Sequence, residues 1–220
     1  MNTSIIIIVV IIIFIILFLF GFYYYYWLPS QSNVSKYKIQ LITSETIFDE
    51  NYYNTFKTSV LVTNRNTFIV PKLGYGISFA WDMYIPAQSS SDKWQNSYNT
   101  LKPIISMNDS PVISYHPKKN YLSIVLKYRN NPFYAQFAEI KFKDMKQQKY
   151  SHYVLVIDNR NIRLYIDGAI ASLKILPSIP VVYDMNSEIV LGEKNNNFLG
   201  KINNLSVYPY PLSNDEISIV

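Results

Sequence analysis

The chain has 220 residues, of which 49% are hydrophobic and 16% aromatic, and only six are glycine. This composition indicates a packed core and excludes an intrinsically disordered chain. The absence of cysteine excludes a disulfide framework, a thiolate zinc site and a cysteine nucleophile. The net charge of +5 permits attraction to anionic partners, but most of the 20 basic side chains are scattered along the chain.

The apolar residues are concentrated at the N-terminus, where no charged residue precedes Lys36. Residues 5–22 are eighteen consecutive nonpolar positions. As a helix this run would span about 27 Å, close to a bilayer core of about 30 Å. Four tyrosines and Trp27 follow it, and such rings favour the headgroup interface. A cleaved signal peptide is the alternative, but no basic residue precedes the run and no small-residue cleavage site follows it. We therefore predict an anchor over residues 1–28 that contacts the lipid bilayer through residues 5–27, and a linker over residues 29–36.

From residue 37 onward, apolar and polar residues alternate with the period of a strand rather than that of a helix. Between Gly76 and Ile85, every second residue is large and apolar, which predicts a half-buried strand. Further strands are predicted at residues 37–42, 59–63, 67–70, 104–106, 112–115, 121–128, 133–142, 188–191 and 198–208.

The clearest strands lie between residues 150 and 175. Residues 150–158 and 162–167 are two predicted strands with a turn at 159–161 between them. Asp167-Gly168 is typical of a type I′ turn and leads into a third strand at 169–175. Near the C-terminus, the Ser213-x-x-Glu216 spacing of a capping box predicts one helical turn. Many short strands with Pro- and Asn-rich connections predict an all-β, antiparallel β-sandwich over residues 37–220.

The predicted hairpin resembles a known family. The segments YSHYVLVID at 150–158 and IRLYIDG at 162–168 resemble the central hairpin of laminin G-like domains, which belong to the concanavalin A-like lectin/glucanase superfamily. The position often occupied by tryptophan at the start of this hairpin is Tyr150. Other similar segments are ISFAW at 77–81, IVLG at 189–192, FLGKI at 198–202 and VYPYPLSNDEI at 207–217. The resemblance implies a concanavalin A-like jelly roll of two antiparallel sheets, with ligands held by rim loops.

The superfamily includes glycoside hydrolases, which need two carboxylates about 5–10 Å apart. No Glu-x-Asp-x-x-Glu or similar cluster occurs, and the adjacent pairs Asp49-Glu50 and Asp215-Glu216 do not share a strand face. His152 is predicted to be a structural residue within a strand and His116 to lie in a loop, since neither has a nucleophile or a metal-ligand spacing nearby. We therefore predict no catalytic residue. A hydrolase whose carboxylates converge from different strands is the alternative.

Charge is concentrated in one segment, residues 141–149, which holds four lysines and one aspartate. The lysines are Lys141, Lys143, Lys146 and Lys149. These lysines could hold a polyanion such as a sulfated glycan, or an anionic lipid surface, or form a solvated loop. Trp94, in a predicted loop, could stack on a sugar or pack over the sandwich edge. No aromatic-interleaved RNA-binding motif accompanies the lysines, so nucleic acid is not a predicted partner.

The resemblance also implies calcium, which laminin G-like domains often bind through a few rim carboxylates and carbonyls. Asp109 and Asp184, both in predicted loops, are the candidate ligands. A role in turn formation is the alternative for both.

Three functions follow from these observations. The first is a non-enzymatic, membrane-anchored, lectin-like domain that binds glycan or protein partners at a membrane or particle surface. The second is a structural component of a virion or cell membrane that packs against neighbouring shell proteins. The abundance of Ile, Asn, Lys and Tyr, which have AT-rich codons, indicates a source such as a large DNA virus, a protist or a bacterium. The third is a glycoside hydrolase. The predicted location is a single-pass position in a virion membrane or at a cell surface.

Overall fold

A computed structural model describes residues 13, 15–19, 38–49, 51–57, 76–87, 99–107, 110–131, 134–181 and 188–220. The chain divides into two compact units, Met1–Lys38 and Ile39–Val220. In the first unit, residues 13 and 15–19 are helical. Within the described part of the chain, no helix has the length and apolar character needed to cross a bilayer. Most of the predicted anchor and all of the predicted linker lie outside the described residues, so the anchor stays a prediction.

The second unit consists of short strands and one helical turn, α1 (Asn214–Ile217). The described strands are β1 (Ile39–Gln40), β2 (Thr46–Ile47), β3 (Asn54–Lys57), β4 (Gly76–Tyr84), β5 (Lys102–Met107), β6 (Val112–His116), β7 (Tyr121–Asn131), β8 (Tyr134–Lys143), β9 (Tyr150–Asp158), β10 (Asn161–Ile166), β11 (Ala169–Ile175), β12 (Pro180–Val181), β13 (Glu188–Leu191) and β14 (Lys201–Tyr208).

These strands form two sheets. Sheet A has the order β1-β14-β4-β9-β10-β11, with β2 also paired to β14. Sheet B has the order β12-β7-β6-β5-β13-β3, with β8 also paired to β7. All of these described pairings are antiparallel. The prediction of an all-β antiparallel sandwich of two sheets is therefore confirmed, and the arrangement is consistent with a jelly roll.

The hairpins of sheet A follow the sequence closely. Strands β9 and β11 have the predicted bounds, and β10 differs from its predicted range by one residue at each end. Asp167 and Gly168 have φ angles of 52° and 78°, as a type I′ turn requires. The helical turn α1 has the predicted capping box, in which Ser213 and Glu216 bond each other's backbone N–H groups.

The core lies between the two sheets. Trp81 and Tyr153, on neighbouring strands of sheet A, stack with their ring centroids 5.6 Å apart. Tyr115 of sheet B packs edge-on against Phe198, with 5.7 Å between the ring centroids. The largest fully buried side chains include Phe48, Ile77, Phe79, Trp81, Met83, Ile85, Ile104, Tyr115, Tyr153, Phe198 and Tyr208.

Strand β4 is more deeply buried than its alternation predicts. Its alternate apolar residues face the core as expected, but Ser78 and Ala80 on the outer face are also buried. Ser78 Oγ donates to Tyr210 O at 3.0 Å and accepts from Leu212 N at 2.9 Å. The prediction of a half-buried strand therefore holds at Asp82 and Tyr84 but fails at Ser78, which the segment after β14 covers.

Some other predictions differ from the structure. Strands β2 and β3 were not predicted, since they are short and mostly exposed and carry no clear alternation. His116 ends β6 instead of lying in a loop, because it pairs with Tyr121 across the β6–β7 hairpin. The predicted strands at 59–63 and 67–70 lie outside the described residues.

Candidate ligand-binding site

Three neighbouring strands of sheet A bring two tyrosines and a lysine into one row. The register places Lys201 of β14 opposite Tyr84 of β4, and Tyr84 opposite Tyr150 of β9. The rings of Tyr84 and Tyr150 have centroids 5.4 Å apart and planes inclined by 47°. Nζ of Lys201 lies 6.0 Å from the centroid of the Tyr84 ring. The row lies on the outer face of the sheet, because the residues that alternate with Tyr84 point into the core.

Glu45, in the loop between β1 and β2, connects the two ends of this row. Its carboxylate accepts hydrogen bonds from Lys201 Nζ, at 2.8 Å, and from the hydroxyl of Tyr150. The bonds from Lys201 and Tyr150 lower the pKa of Glu45. Burial, together with the bond to Glu45, raises the pKa of Tyr150 to about 12. At neutral pH the site therefore presents an anionic acceptor beside a protonated phenol.

A second polar row lies next to the first. Asp82 of β4 faces His152 of β9, with 2.7 Å between Asp82 Oδ1 and His152 Nδ1. Asn204 Nδ2 donates to the other oxygen of Asp82 at 2.8 Å. Asn204 has a φ of 51° and lies where the register between β14 and β4 shifts. Asp82 thus links the three strands through side-chain hydrogen bonds, and His152 lies on the outer face of the sheet.

The turn between β10 and β11 extends this second row. Asp167 accepts a bond from the backbone N–H of His152 at 2.9 Å and contacts Lys146 Nζ at 2.5 Å. Burial by itself would raise the pKa of Asp167, but the bonds from Lys146 and from the His152 amide outweigh it and lower that pKa.

A cleft of about 270 Å³ opens beside the tyrosine row, and its walls are largely apolar. We refer to this cleft, with the adjoining ring of Tyr150, as the tyrosine cleft. The residues that line it are Ile47, Phe48, Asp49, Tyr84, Pro86, Leu199, Gly200 and Lys201.

The wall formed by Leu199 and Gly200 depends on tight packing. A Cβ at Gly200 would lie 2.1 Å from Phe198 Cζ and 2.6 Å from the carbonyl oxygen of Tyr84, so a larger residue does not fit there. Leu199 has a φ of 53°, a left-handed conformation that is strained for a leucine. Such strain persists where the surrounding contacts hold the backbone in place.

The buried side chain of Asn197 supplies such contacts. Its Nδ2 donates to the carbonyl oxygens of Asp49 and Tyr52, both at 2.6 Å, and its Oδ1 accepts from Glu193 N at 2.7 Å. These bonds fix the loop between β13 and β14 against the segment that precedes β3. They therefore set the shape of the cleft.

The tyrosine cleft combines flat aromatic faces with a small number of hydrogen-bonding groups. The rings of Tyr84 and Tyr150 offer apolar surface, the adjoining Glu45 offers acceptor oxygens, and Lys201 offers a donor. A site of this kind suits a ligand that has both an apolar face and several hydroxyl groups, as a sugar does.

The predicted lysines do not form one site. Lys141 and Lys143 lie on the exposed outer face of β8 in sheet B, where Lys141 is paired with Glu139 at 2.8 Å. Lys146 follows β8 and pairs with Asp167 of sheet A, and the exposed Lys149 lies close enough to Asp167 to lower its pKa. Lys141 and Lys143 therefore lie on sheet B, whereas Lys146 and Lys149 lie near Asp167 of sheet A.

The remaining predicted site residues, Trp94, Asp109 and Asp184, lie outside the described residues. In the part of the chain that the structure describes, no group of three or more His, Asp or Glu side chains is placed to hold a metal ion. Calcium binding stays a prediction.

The residues of the tyrosine cleft were not found from the sequence. Tyr84 and Tyr150 lie on the polar faces of two predicted strands, which was the available signal. Their meeting depends on the register between strands that are 66 residues apart in the chain. Glu45 is 105 residues from Tyr150 and 156 from Lys201, and sequence periodicity does not specify such pairings.

Comparison with known proteins places this site in context. A family model for laminin G-like domains, described as the concanavalin A-like lectin/glucanases superfamily, matches residues 78–218. None of the curated proteins matches the sequence significantly.

Several solved structures share the fold. The botulinum neurotoxin serotype G binding domain matches with a TM-score of 0.57 and 20% identity over 80% of this chain and 41% of the neurotoxin chain. The receptor binding domain of botulinum neurotoxin mosaic serotype C/D gives 0.58 and 13% identity over 83% and 44%. The binding domain of botulinum neurotoxin DC in complex with SialylT gives 0.50 and 16% identity over 83% and 41%.

This chain spans less than half the length of each of these neurotoxin chains. Each of these three structural neighbours is a binding domain by name. The family model covers more than half of the present chain and includes both rows of the site, apart from Glu45. The chain belongs to the concanavalin A-like lectin/glucanases superfamily.

Proposed function

We propose that this chain is a membrane-tethered, non-enzymatic binding domain that holds a glycan in the tyrosine cleft. The observation that carries the proposal is the row of Lys201, Tyr84 and Tyr150, joined by Glu45, beside an apolar cleft. Aromatic rings next to a carboxylate and an ammonium group provide both the flat contact and the hydrogen bonds that a sugar needs. The structural neighbours support a binding role, and one of them is described in complex with SialylT.

A glycan array probed with the full chain, held in phosphatidylcholine nanodiscs, tests this proposal. We expect selective binding of a group of glycans without added metal. The Tyr84→Ala variant should weaken that binding roughly tenfold or more, since an aromatic contact contributes about 1 kcal/mol beyond its buried area. Tyr84→Phe should retain most of the binding, because the ring remains.

Tyr210→Ala is the matched control. Tyr210 contacts Ser78, which is six residues from Tyr84 along β4 and therefore about 20 Å away. The proposal is wrong if no glycan binds, or if Tyr84→Ala and Tyr210→Ala reduce binding equally. Turnover of a bound polysaccharide, lost on substitution of a carboxylate, would instead establish a hydrolase.

The tether rests on the uncharged apolar run of residues 5–22. We expect the full chain to stay with the membrane fraction during alkaline carbonate extraction. Release into the supernatant, or a mature N-terminus near Ser30, would show that the run is not an anchor.

Edge strand β11 favours a second candidate function, contact with neighbouring proteins in an assembly. The outer-face side chains Ile170, Leu173 and Ile175 are 57%, 51% and 65% exposed, opposite to the usual pattern of a sandwich strand. Within the described residues β11 pairs only with β10. Exposed apolar strands of this kind mark interaction surfaces. Leu173→Lys should then abolish binding of the chain to its neighbours in the assembly without changing the melting temperature of the chain. Unchanged binding to those neighbours would exclude this role.

A further inference from the structure

Sheet B carries a second charged surface, assembled from two distant parts of the chain. The tip of the β6–β7 hairpin presents Lys118 and Lys119, and the end of β8 presents Lys141 and Lys143. All four side chains are exposed. We call them the lysine patch. The register places Lys143 directly opposite Tyr121, which follows the hairpin tip.

Asn120 holds the hairpin tip beside the end of β8. Its Nδ2 donates to the carbonyl oxygen of Met145 at 2.9 Å, and its own carbonyl accepts from Met145 N at 3.5 Å. Its Oδ1 accepts from the hydroxyl of Tyr115 at 2.9 Å. The convergence of the four lysines therefore results from a fixed backbone arrangement.

Positive charges from both segments act on one buried side chain, that of His116. His116 is buried at the end of β6, with its ring 5.0 Å from that of Tyr121. Burial lowers the pKa of His116, and the positive charges of Lys119, Lys141 and Lys118 lower it further. Lysines from both segments thus lie within electrostatic reach of a single side chain.

The negative charges nearby do not cancel this potential. Glu139 pairs with Lys141 at 2.8 Å and also accepts a hydrogen bond from Ser123 at 2.8 Å. The exposed Asp144 adjoins Lys143 in the chain. Four lysines against these two carboxylates leave the patch positive at neutral pH.

An exposed aromatic residue lies on the same face as the patch. Phe137, like Glu139, Lys141 and Lys143, occupies the outer face of β8, and 57% of its surface is exposed. It lies about 20 Å from Lys143 along the strand. Lysines that share one exposed face with a phenylalanine are typical of surfaces that lie on a membrane, where the ring enters the headgroup region and the ammonium groups meet phosphates.

From these contacts we propose that the lysine patch and Phe137 form a binding surface for the phosphate headgroups of an anionic lipid membrane. The surface lies on sheet B, whereas the tyrosine cleft lies on sheet A. It therefore goes beyond the proposed glycan site, and either site can fail without the other.

The test uses the full chain in phosphatidylcholine nanodiscs, titrated onto phosphatidylcholine vesicles with and without phosphatidylserine. We expect binding only to the vesicles that contain phosphatidylserine, with affinity that falls as salt is raised. Each lysine near an anionic surface is worth about 1 kcal/mol, so Lys118→Ala with Lys143→Ala should weaken binding roughly 20–30-fold. Phe137→Ser should weaken it roughly tenfold.

Lys174→Ala with Lys194→Ala is the matched control, because it removes the same net charge from exposed positions outside the patch. We expect it to change binding by less than about threefold. If both double variants lose vesicle binding equally, net charge alone explains the binding and the proposal is overturned. Binding to inorganic phosphate or to a sulfated glycan without binding to the anionic vesicles would also overturn it, since the ligand would then not be a membrane.

Discussion

The packing of the tyrosine-cleft wall can be tested by comparing Gly200, which lies in the wall, with Gly168, which lies in the β10–β11 turn. These two positions require glycine for different reasons. At Gly200 an added methyl group would lie 2.1 Å from Phe198 Cζ and 2.6 Å from the carbonyl oxygen of Tyr84. Phe198 is fully buried against Phe48 and Tyr115, so its ring has little room to move away.

Gly168 has the opposite character. A methyl group there would meet nothing within 4 Å, and only its φ of 78° disfavours a larger residue. Gly168→Ala should therefore cost about 1–2 kcal/mol, the usual penalty of a left-handed residue with a Cβ. Gly200→Ala should cost about 3 kcal/mol or more, because overpacking against a backbone atom and a buried ring forces both to shift.

Urea unfolding and calorimetry of the two variants measure these costs. For a body of this size, about 3 kcal/mol corresponds to a fall of roughly 6–12 °C in Tm, and about 1 kcal/mol to a fall of roughly 2–4 °C. Glycan binding should also be lost in Gly200→Ala and kept in Gly168→Ala, at a temperature where both remain folded. If Gly200→Ala is as stable as Gly168→Ala, the packing described for residues 198–200 is wrong.

Three further predictions concern buried polar groups. Burial raises the pKa of Tyr208 to about 12. The folded state keeps this phenol protonated, so the free energy of unfolding falls as the pH rises from 10 towards 12. Tyr208→Phe should lose less of that free energy over this range, by up to about 2 kcal/mol in urea unfolding. Lys102 is fully buried, with Nζ 2.7 Å from Asn196 Oδ1, and its burial lowers its pKa. Lys102→Met should stay within about 1 kcal/mol of the original chain, whereas Lys102→Ala should lose about 2–4 kcal/mol to a cavity. Asn197→Ala should cost about 3 kcal/mol in chemical unfolding, since it removes three hydrogen bonds of a buried side chain.

Each of these has a distinct contradicting outcome. Parallel stability curves for Tyr208→Phe and the original chain between pH 10 and 12 would show that the phenol does not ionise with unfolding. Equal stability of the two Lys102 variants would mean that the aliphatic stem contributes nothing to packing. A loss below about 1 kcal/mol for Asn197→Ala would mean that water or other groups replace its bonds.

Much of sheet A could be predicted because its signals are local. The alternation of apolar residues in 162–167 and the Asp167-Gly168 turn act over a few residues, and they place β10 to within one residue and β11 with its observed bounds. The capping box at Ser213 is equally local.

The candidate sites could not be predicted in the same way. Lys141 and Lys143 were singled out from a run of charge, but their structural partners Lys118 and Lys119 come from the preceding hairpin. Lys146, in the same run, is instead paired with Asp167 of the other sheet. Sequence proximity therefore grouped side chains that the sandwich separates, and it missed those that the sandwich brings together.

The sequence alone determined the strand pattern, the turns, the family resemblance and the prediction of an N-terminal anchor, because each depends on the chemistry of neighbouring residues. Only the tertiary structure decided that Tyr84, Tyr150, Lys201 and Glu45 lie together in one site. It also decided that the segment after β14 covers Ser78. These arrangements depend on register and packing between distant strands, which are set when the whole core forms and not by any local pattern.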